Sequence, residues 1–114
     1  MAITKLTVQP RYFEALKKGT KTAEGRIGKQ KYRLLKTGDA IIFRNAESHN
    51  VLIKIVAYVE AFPTFEAMLQ SNGIRAFLDD PAVTTLQRAC EVYHGFGDYK
   101  TEEARYGVVA IHLS

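Results

Sequence analysis

Nine residues, Val51-Leu-Ile-Lys-Ile-Val-Ala-Tyr-Val59, set the tightest limit on how this chain can fold. β-Branched and aromatic residues dominate the run and only Lys54 interrupts it, so it reads as a strand. Val51, Ile53, Ile55, Ala57 and Val59 share one face, while Leu52, Val56 and Tyr58 make the other face apolar too. A strand that is apolar on both sides avoids a sheet edge, where unpaired backbone groups invite a second chain. The run is therefore expected at the centre of a closed or nearly closed sheet. It falls far short of the ~20 apolar residues a membrane helix needs, so no membrane partner is expected.

The flanking sequence supplies further elements. Leu6 and Val8 alternate with polar residues as in a short strand, and Pro10 suits the first turn of a helix whose apolar side holds Phe13 and Leu16. Gly19 offers a left-handed stop for that helix. A strand is expected over Thr22–Ile27, and a turn at Gly38-Asp39 before the strand Ala40–Phe43. Phe65, Met68 and Leu69 share a helical face with Thr64 as N-cap. Leu86, Ala89, Cys90 and Tyr93 follow at helical spacing, with Thr84 and Gln87 spaced as a capping box. Tyr106–Leu113 reads as a final strand. Strands in runs joined by short loops do not build alternating βαβ units. The pattern predicts one α+β domain over residues 1–114: a small, mostly antiparallel β-barrel flanked by about three helices.

Charge is unevenly spread. Residues 1–60 carry twelve Lys and Arg against five acids, and residues 61–114 carry four against seven. Eight basic residues lie between Lys17 and Lys36, with Glu24 the sole acid among them. A segment of that kind concentrates anions such as phosphate around it. Cys90 is the single cysteine, so an intramolecular disulfide is excluded and a reducing compartment is expected. With no apolar secretory stretch after Met1, a cytoplasmic location is expected. His49, His94 and His112 lack ligand spacing, and Asp79-Asp80 reads as a solvated helix end, so neither metal nor cofactor is expected.

Four blocks carry a family resemblance. Gly19-Thr-Lys21-Thr-Ala-Glu24-Gly-Arg26 has the form GxKxxExR. Gly38-Asp39-Ala-Ile-Ile-Phe43, Phe62-Pro-Thr-Phe65-Glu66-Ala-Met-Leu69 and Tyr106-Gly107-Val-Val-Ala-Ile111 follow in order. Together they resemble the ASCH (activating signal cointegrator homology) domain over nearly the whole chain. The resemblance implies a PUA-like β-barrel, a fold shared with RNA-modification and translation-associated proteins, and a cleft for RNA or nucleotides near the GxKxxExR loop. It also implies an enzyme alternative, since some relatives are reported as ribonucleases and one branch hydrolyses N4-acetylcytidine. In that branch a threonine, the proposed nucleophile, stands where this chain has Glu24, and the departure counts against an amidohydrolase.

The chemistry of the motif can be stated residue by residue. Lys21 offers a compact charge with three donors, and Arg26 a planar fork for phosphate or a base edge. Glu24 and Arg26, two apart on a strand, point to one face and can pair, and a carboxylate between two cations stays ionised. Gly25 is read as a site for a bulge. Lys29, Lys31 and Arg33 extend the basic segment, with Tyr32 interleaved as a base-stacking platform and Tyr99 and Tyr106 as further stacking candidates. Tyr93 and Cys90 are read as buried in the core. The leading expectation is binding of single-stranded RNA, a nucleotide or a nucleoside, with Lys21, Glu24, Arg26, Lys29, Lys31, Tyr32, Arg33, Tyr99 and Tyr106 as contacts. If the protein is a ribonuclease or amidohydrolase, Lys21 and Glu24 are the catalytic candidates. A protein-interaction module would instead use an apolar patch around Phe62 and Phe65.

Overall fold

The computed structural model describes residues 2–114, in the order β1 (Ile3–Val8), α1 (Pro10–Lys18), β2 (Ala23–Ile27), α2 (Gln30–Arg33), β3 (Ala40–Asn45), β4 (Val51–Phe62), α3 (Phe65–Asn72), α4 (Leu86–His94), α5 (Tyr99–Tyr106) and β5 (Val108–Leu113). The strands form one five-stranded sheet in the order β1-β3-β4-β5-β2, antiparallel except for β1 on β3. The sheet curls into a half-barrel, an α+β PUA-like architecture.

The nine-residue apolar run lies in β4, the middle strand, as its sequence requires. Its first part, Val51–Ile55, pairs with β3, and its second, Val56–Phe62, pairs with β5. Between them the register slips at Val56/Tyr58, and Ala57 is left out of the ladder. An extra residue of this kind bends a strand and increases its twist, which curls the sheet. The same slip splits the row Val51, Ile53, Ile55, Ala57 and Val59, which alternation alone places on one face. Val51, Ile53 and Ile55 face solvent (Ile53 is 63% exposed), Val56 on the opposite face is fully buried, and Val59 beyond the slip packs against the core.

Core packing explains the remaining elements. Val108, Val109, Ala110 and Ile111 of β5 are all buried, because the strand is covered on both faces. Phe43, Ile41, Leu16, Phe65, Met68, Leu69 and Phe77 fill the interior. Thr64 caps α3 by accepting from the Ala67 N–H at 3.1 Å, and Gly19 ends α1 at φ 83°. The α4 cap is Thr85, accepting from the Arg88 N–H at 3.1 Å, one residue later than the Thr84–Gln87 spacing suggests. Among the described residues there are five helices rather than about three. Of the two unforeseen ones, α2 has only four residues and α5 has no fully buried residue, so neither carries a clear apolar stripe to read. Instead, Glu103 holds α5 in place, its carboxylate accepting from the Phe65 N–H at 2.7 Å and facing His94 Nε2 at 3.0 Å. Phe65 is fully buried and so cannot serve the apolar patch that a protein-interaction module would use, and Cys90 is half-buried rather than enclosed.

The two faces of the sheet predict contrasting mutants. Phe43→Ala should cost about 3–5 kcal/mol by leaving a cavity. Ile53→Ala should stay within roughly 0.5 kcal/mol, as expected of an exposed position. Urea denaturation of both variants checks the assignment.

Candidate functional site

The chain turns sharply between α1 and β2. With Gly19 in the left-handed conformation, the N–H groups of Thr20 and Lys21 both donate to the Ala15 carbonyl, at 3.0 and 3.1 Å. This reversal drives Lys21 inward. The residue is 3% exposed, and its ammonium donates to the carbonyls of Ala23 (2.7 Å) and Phe77 (2.5 Å) and lies 3.1 Å from Glu24 Oε1. Three N–H groups thus meet three acceptors. Lys21 is therefore a buried tie between β2 and the 74–78 turn, where the motif alone suggests an exposed lysine.

Glu24 and Arg26 project from the same face of β2, as their spacing requires, and the other carboxylate oxygen accepts from Arg26 Nη2 at 2.9 Å. Burial alone would raise the Glu24 pKa. The charges of Lys21 and Arg26 and their hydrogen bonds outweigh it and hold the carboxyl below its ordinary value. Burial draws the Lys21 ammonium down, with Glu24 opposing. Arg26 loses solvent as well, but Glu24 raises its pKa further still. The three groups carry a net charge of +1, and Arg26, its side chain 19% exposed, presents that charge outward.

All three line one cavity of about 240 Å³. Thr7 and Gln9 of the β1–α1 segment, Tyr12 of α1, and Tyr93, Phe96 and Tyr99 around the α4–α5 corner complete most of its wall. The Tyr99 ring lies parallel to Phe65 at 5.8 Å and meets Phe96 edge-on at 5.8 Å. Tyr12 faces the Lys21 ammonium, 5.8 Å from its ring centroid. Burial raises the hydroxyl pKa values of Tyr12, Tyr93 and Tyr99, so these groups stay protonated. Tyr93 is buried as its helical spacing predicts, yet its hydroxyl has no hydrogen-bond partner in the protein. A Cβ at Gly25 would stand 2.7 Å from that hydroxyl and 2.8 Å from Met68 Cε. Gly25 pairs regularly with Ala110, so the glycine makes room for Tyr93 rather than forming the expected bulge.

The remaining candidates lie outside the cavity. Lys29 pairs with Glu102 at 2.8 Å, and Lys31 sits 4.9 Å from the centroid of the Tyr32 ring. Tyr32 is 7% exposed, which removes it as an open stacking platform. Arg33 donates to the carbonyls of Gly28 (2.6 Å) and Tyr106 (2.5 Å), pinning α2 to the end of α5. The Tyr106 ring is covered by Arg105. Thr7, Gln9 and Tyr12 join the site without any sequence signal, because only the curl of the sheet brings β1 and α1 beside β2. Among the described residues no three His, Cys, Asp or Glu side chains gather as metal ligands.

The buried triad makes three predictions. Lys21→Ala should destabilise the fold by about 3–5 kcal/mol, the usual cost of removing one partner from a buried ion pair. Gly25→Ala should lower the melting temperature, and adding Tyr93→Phe should restore part of the loss, a coupling that a double-mutant cycle measures. Because folded Glu24 holds its proton more weakly than the unfolded chain, its stabilisation is complete above the ordinary carboxyl value of 4.5 and fades as pH falls below it. Glu24→Gln should flatten that acid limb of the stability profile, leaving the contributions of Asp39 and Asp79, whose carboxyls are also lowered.

Comparison with known proteins agrees with the fold. The ASCH domain model matches residues 6–114. The hypothetical protein PH0355 superposes with a TM-score of 0.84 at 35% identity, over 98% of this chain and 97% of that one. Protein PF0455 from Pyrococcus furiosus gives a TM-score of 0.75 at 30% identity, over 98% and 96%. ASCH from Zymomonas mobilis shares the fold at 15% identity, with a TM-score of 0.64 over 98% of this chain and 66% of its own. No curated protein matches. With the family model spanning residues 6–114 and two solved relatives at 30% identity or more over nearly the whole chain, the chain belongs to the ASCH domain family.

Proposed function

We propose that this domain binds single-stranded RNA or a nucleotide by seating one base in the 240 Å³ cavity. The observation that carries the proposal is the convergence of Glu24, Arg26 and Tyr99 on that single space. Glu24 supplies an acceptor, Arg26 a donor fork with charge to spare, and Tyr12, Phe96 and Tyr99 flat faces for stacking. A mostly apolar pocket with a few fixed polar groups is the usual form of a small-ligand site. The volume is below the ~300–1,000 Å³ of pockets for drug-sized ligands, which suits one base better than an extended chain.

The engagement of Lys21 favours binding over catalysis at this amine. A lysine acting as nucleophile or general base needs a free lone pair, and here all three N–H groups are committed to acceptors. The basic segment also contributes less than its count suggests. Lys21 is enclosed, Arg26 pairs with Glu24, Lys29 faces Glu102 and Arg33 holds two carbonyls, so of the eight only Lys17, Lys18, Lys31 and Lys36 are exposed without an ion-pair or carbonyl partner among the described residues.

Two measurements test the reading. With two phosphates contacted at roughly −0.7 each, the log–log salt dependence of oligonucleotide binding should have a slope of about −1.4, followed by fluorescence anisotropy. A slope near zero would remove the phosphate contacts and leave a mononucleotide site, whereas no binding at low salt would overturn the proposal. Arg26→Ala should weaken binding about tenfold or more, as for loss of a charged hydrogen-bond donor. Unchanged affinity would move the site elsewhere.

A further inference from the structure

We propose that the base selected by this cavity is guanine, an inference that rests on the base-binding reading above. Glu24 receives Lys21 at 3.1 Å on one oxygen and Arg26 at 2.9 Å on the other. A carboxylate has about four lone-pair sites, so each oxygen can still accept one more hydrogen bond. An ionised carboxylate has no proton to donate, and any base edge that meets it must do the donating. The four bases differ sharply on this point. Guanine presents two adjacent donors, N1–H and the 2-amino group, which can meet both carboxylate oxygens at once. Adenine and cytosine present one amino group beside a ring nitrogen that only accepts, and uracil presents one N–H between two carbonyls. Each of these three turns an acceptor toward the carboxylate, in a site that Glu24 shares with almost no solvent. Leaving such groups unpaired or opposed is how a polar site rejects a near-isostere.

The neighbouring cation completes the match. On guanine the 6-carbonyl follows N1–H along the same edge, and Arg26 stands beside Glu24 with donors beyond the one it gives to the carboxylate. Carboxylate and guanidinium side by side thus repeat, in reversed polarity, the donor–donor–acceptor order of the guanine edge. The two-ring purine has aromatic walls to lie against in Tyr12, Phe96 and Tyr99. The Tyr93 hydroxyl, buried at the cavity wall without a partner, adds a polar group that the protein itself does not satisfy.

Calorimetric titration of the unmodified protein tests the proposal without relying on a variant that could misfold. The probes are the 5′-monophosphates of guanosine, inosine, adenosine, cytidine and uridine, with single-stranded hexamers of uridine carrying one guanosine, one inosine or neither. Guanosine should bind about tenfold or more tightly than adenosine, cytidine or uridine. Inosine, which lacks only the 2-amino donor, should lose about tenfold relative to guanosine, because a hydrogen bond to a charged acceptor is being removed. Glu24→Gln should shrink that guanosine–inosine gap. Selectivity seen in the hexamers and not in the monophosphates would identify guanine within a strand as the ligand, and the reverse would identify the free nucleotide. Equal affinity for all bases, or preference for a pyrimidine, would overturn guanine selection while leaving base binding intact. Failure of every probe to bind would overturn both.

Discussion

The buried Lys21–Glu24–Arg26 cluster is the constraint on which the site depends. Glu24 is 6% exposed and Lys21 3%, so each would be costly to bury alone. The cluster is tolerated because every charge has a partner and the ammonium also meets two main-chain carbonyls. Those carbonyls, from Ala23 and Phe77, belong to segments more than fifty residues apart, so one side chain fastens β2 to the turn that precedes α4. The GxKxxExR pattern therefore has two physical parts. Gly19 and Lys21 build the site, one by turning the chain and the other by bridging backbone, while Glu24 and Arg26 present polar atoms to the cavity; Gly25, which the pattern leaves open, gives Tyr93 space.

The uneven charge of the chain takes on a different meaning in three dimensions. The basic first half and the acidic second half meet in ion pairs at the surface: Lys29 with Glu102 at 2.8 Å and Arg11 with Asp80 at 3.5 Å. These partly exposed pairs contribute little stability individually. Their effect is to remove cations from the pool available to a polyanion, so a segment with eight basic residues presents fewer than eight to RNA. The positive charge that remains at the cavity is the surplus of the triad, carried by Arg26.

Much of the fold was legible because local chemistry and tertiary position agree. β4 takes the central place that its long run of apolar, β-rich residues predicted, and Thr64, Pro10 and Gly19 mark helix ends through cap chemistry that needs no distant partner. The errors arise where long-range geometry decides. The solvent-facing Val51, Ile53 and Ile55 could not be separated from the core by alternation alone, because the register slip at Val56/Tyr58 reverses the pattern within one strand. The α5 helix was hard to read because only Tyr99 and Tyr106 pack on the core, and polar ties through Glu102, Glu103 and the Tyr106 carbonyl supply the rest of its anchoring. At the site, the pairing of Glu24 with Arg26 followed from strand periodicity. The burial of Lys21 did not, because its acceptors include the carbonyl of Phe77, and a backbone carbonyl leaves no trace in composition.

The central claim is that this cavity, and not the exposed basic surface, receives the ligand. Backbone amide NMR spectra recorded during titration with guanosine 5′-monophosphate test it most directly. The account predicts that the largest shifts fall on Thr7–Gln9, Glu24–Arg26 and Phe96–Tyr99, residues distant in sequence that meet only at the cavity. Shifts confined to Lys17, Lys18, Lys31 and Lys36, with Glu24–Arg26 unmoved, would contradict it.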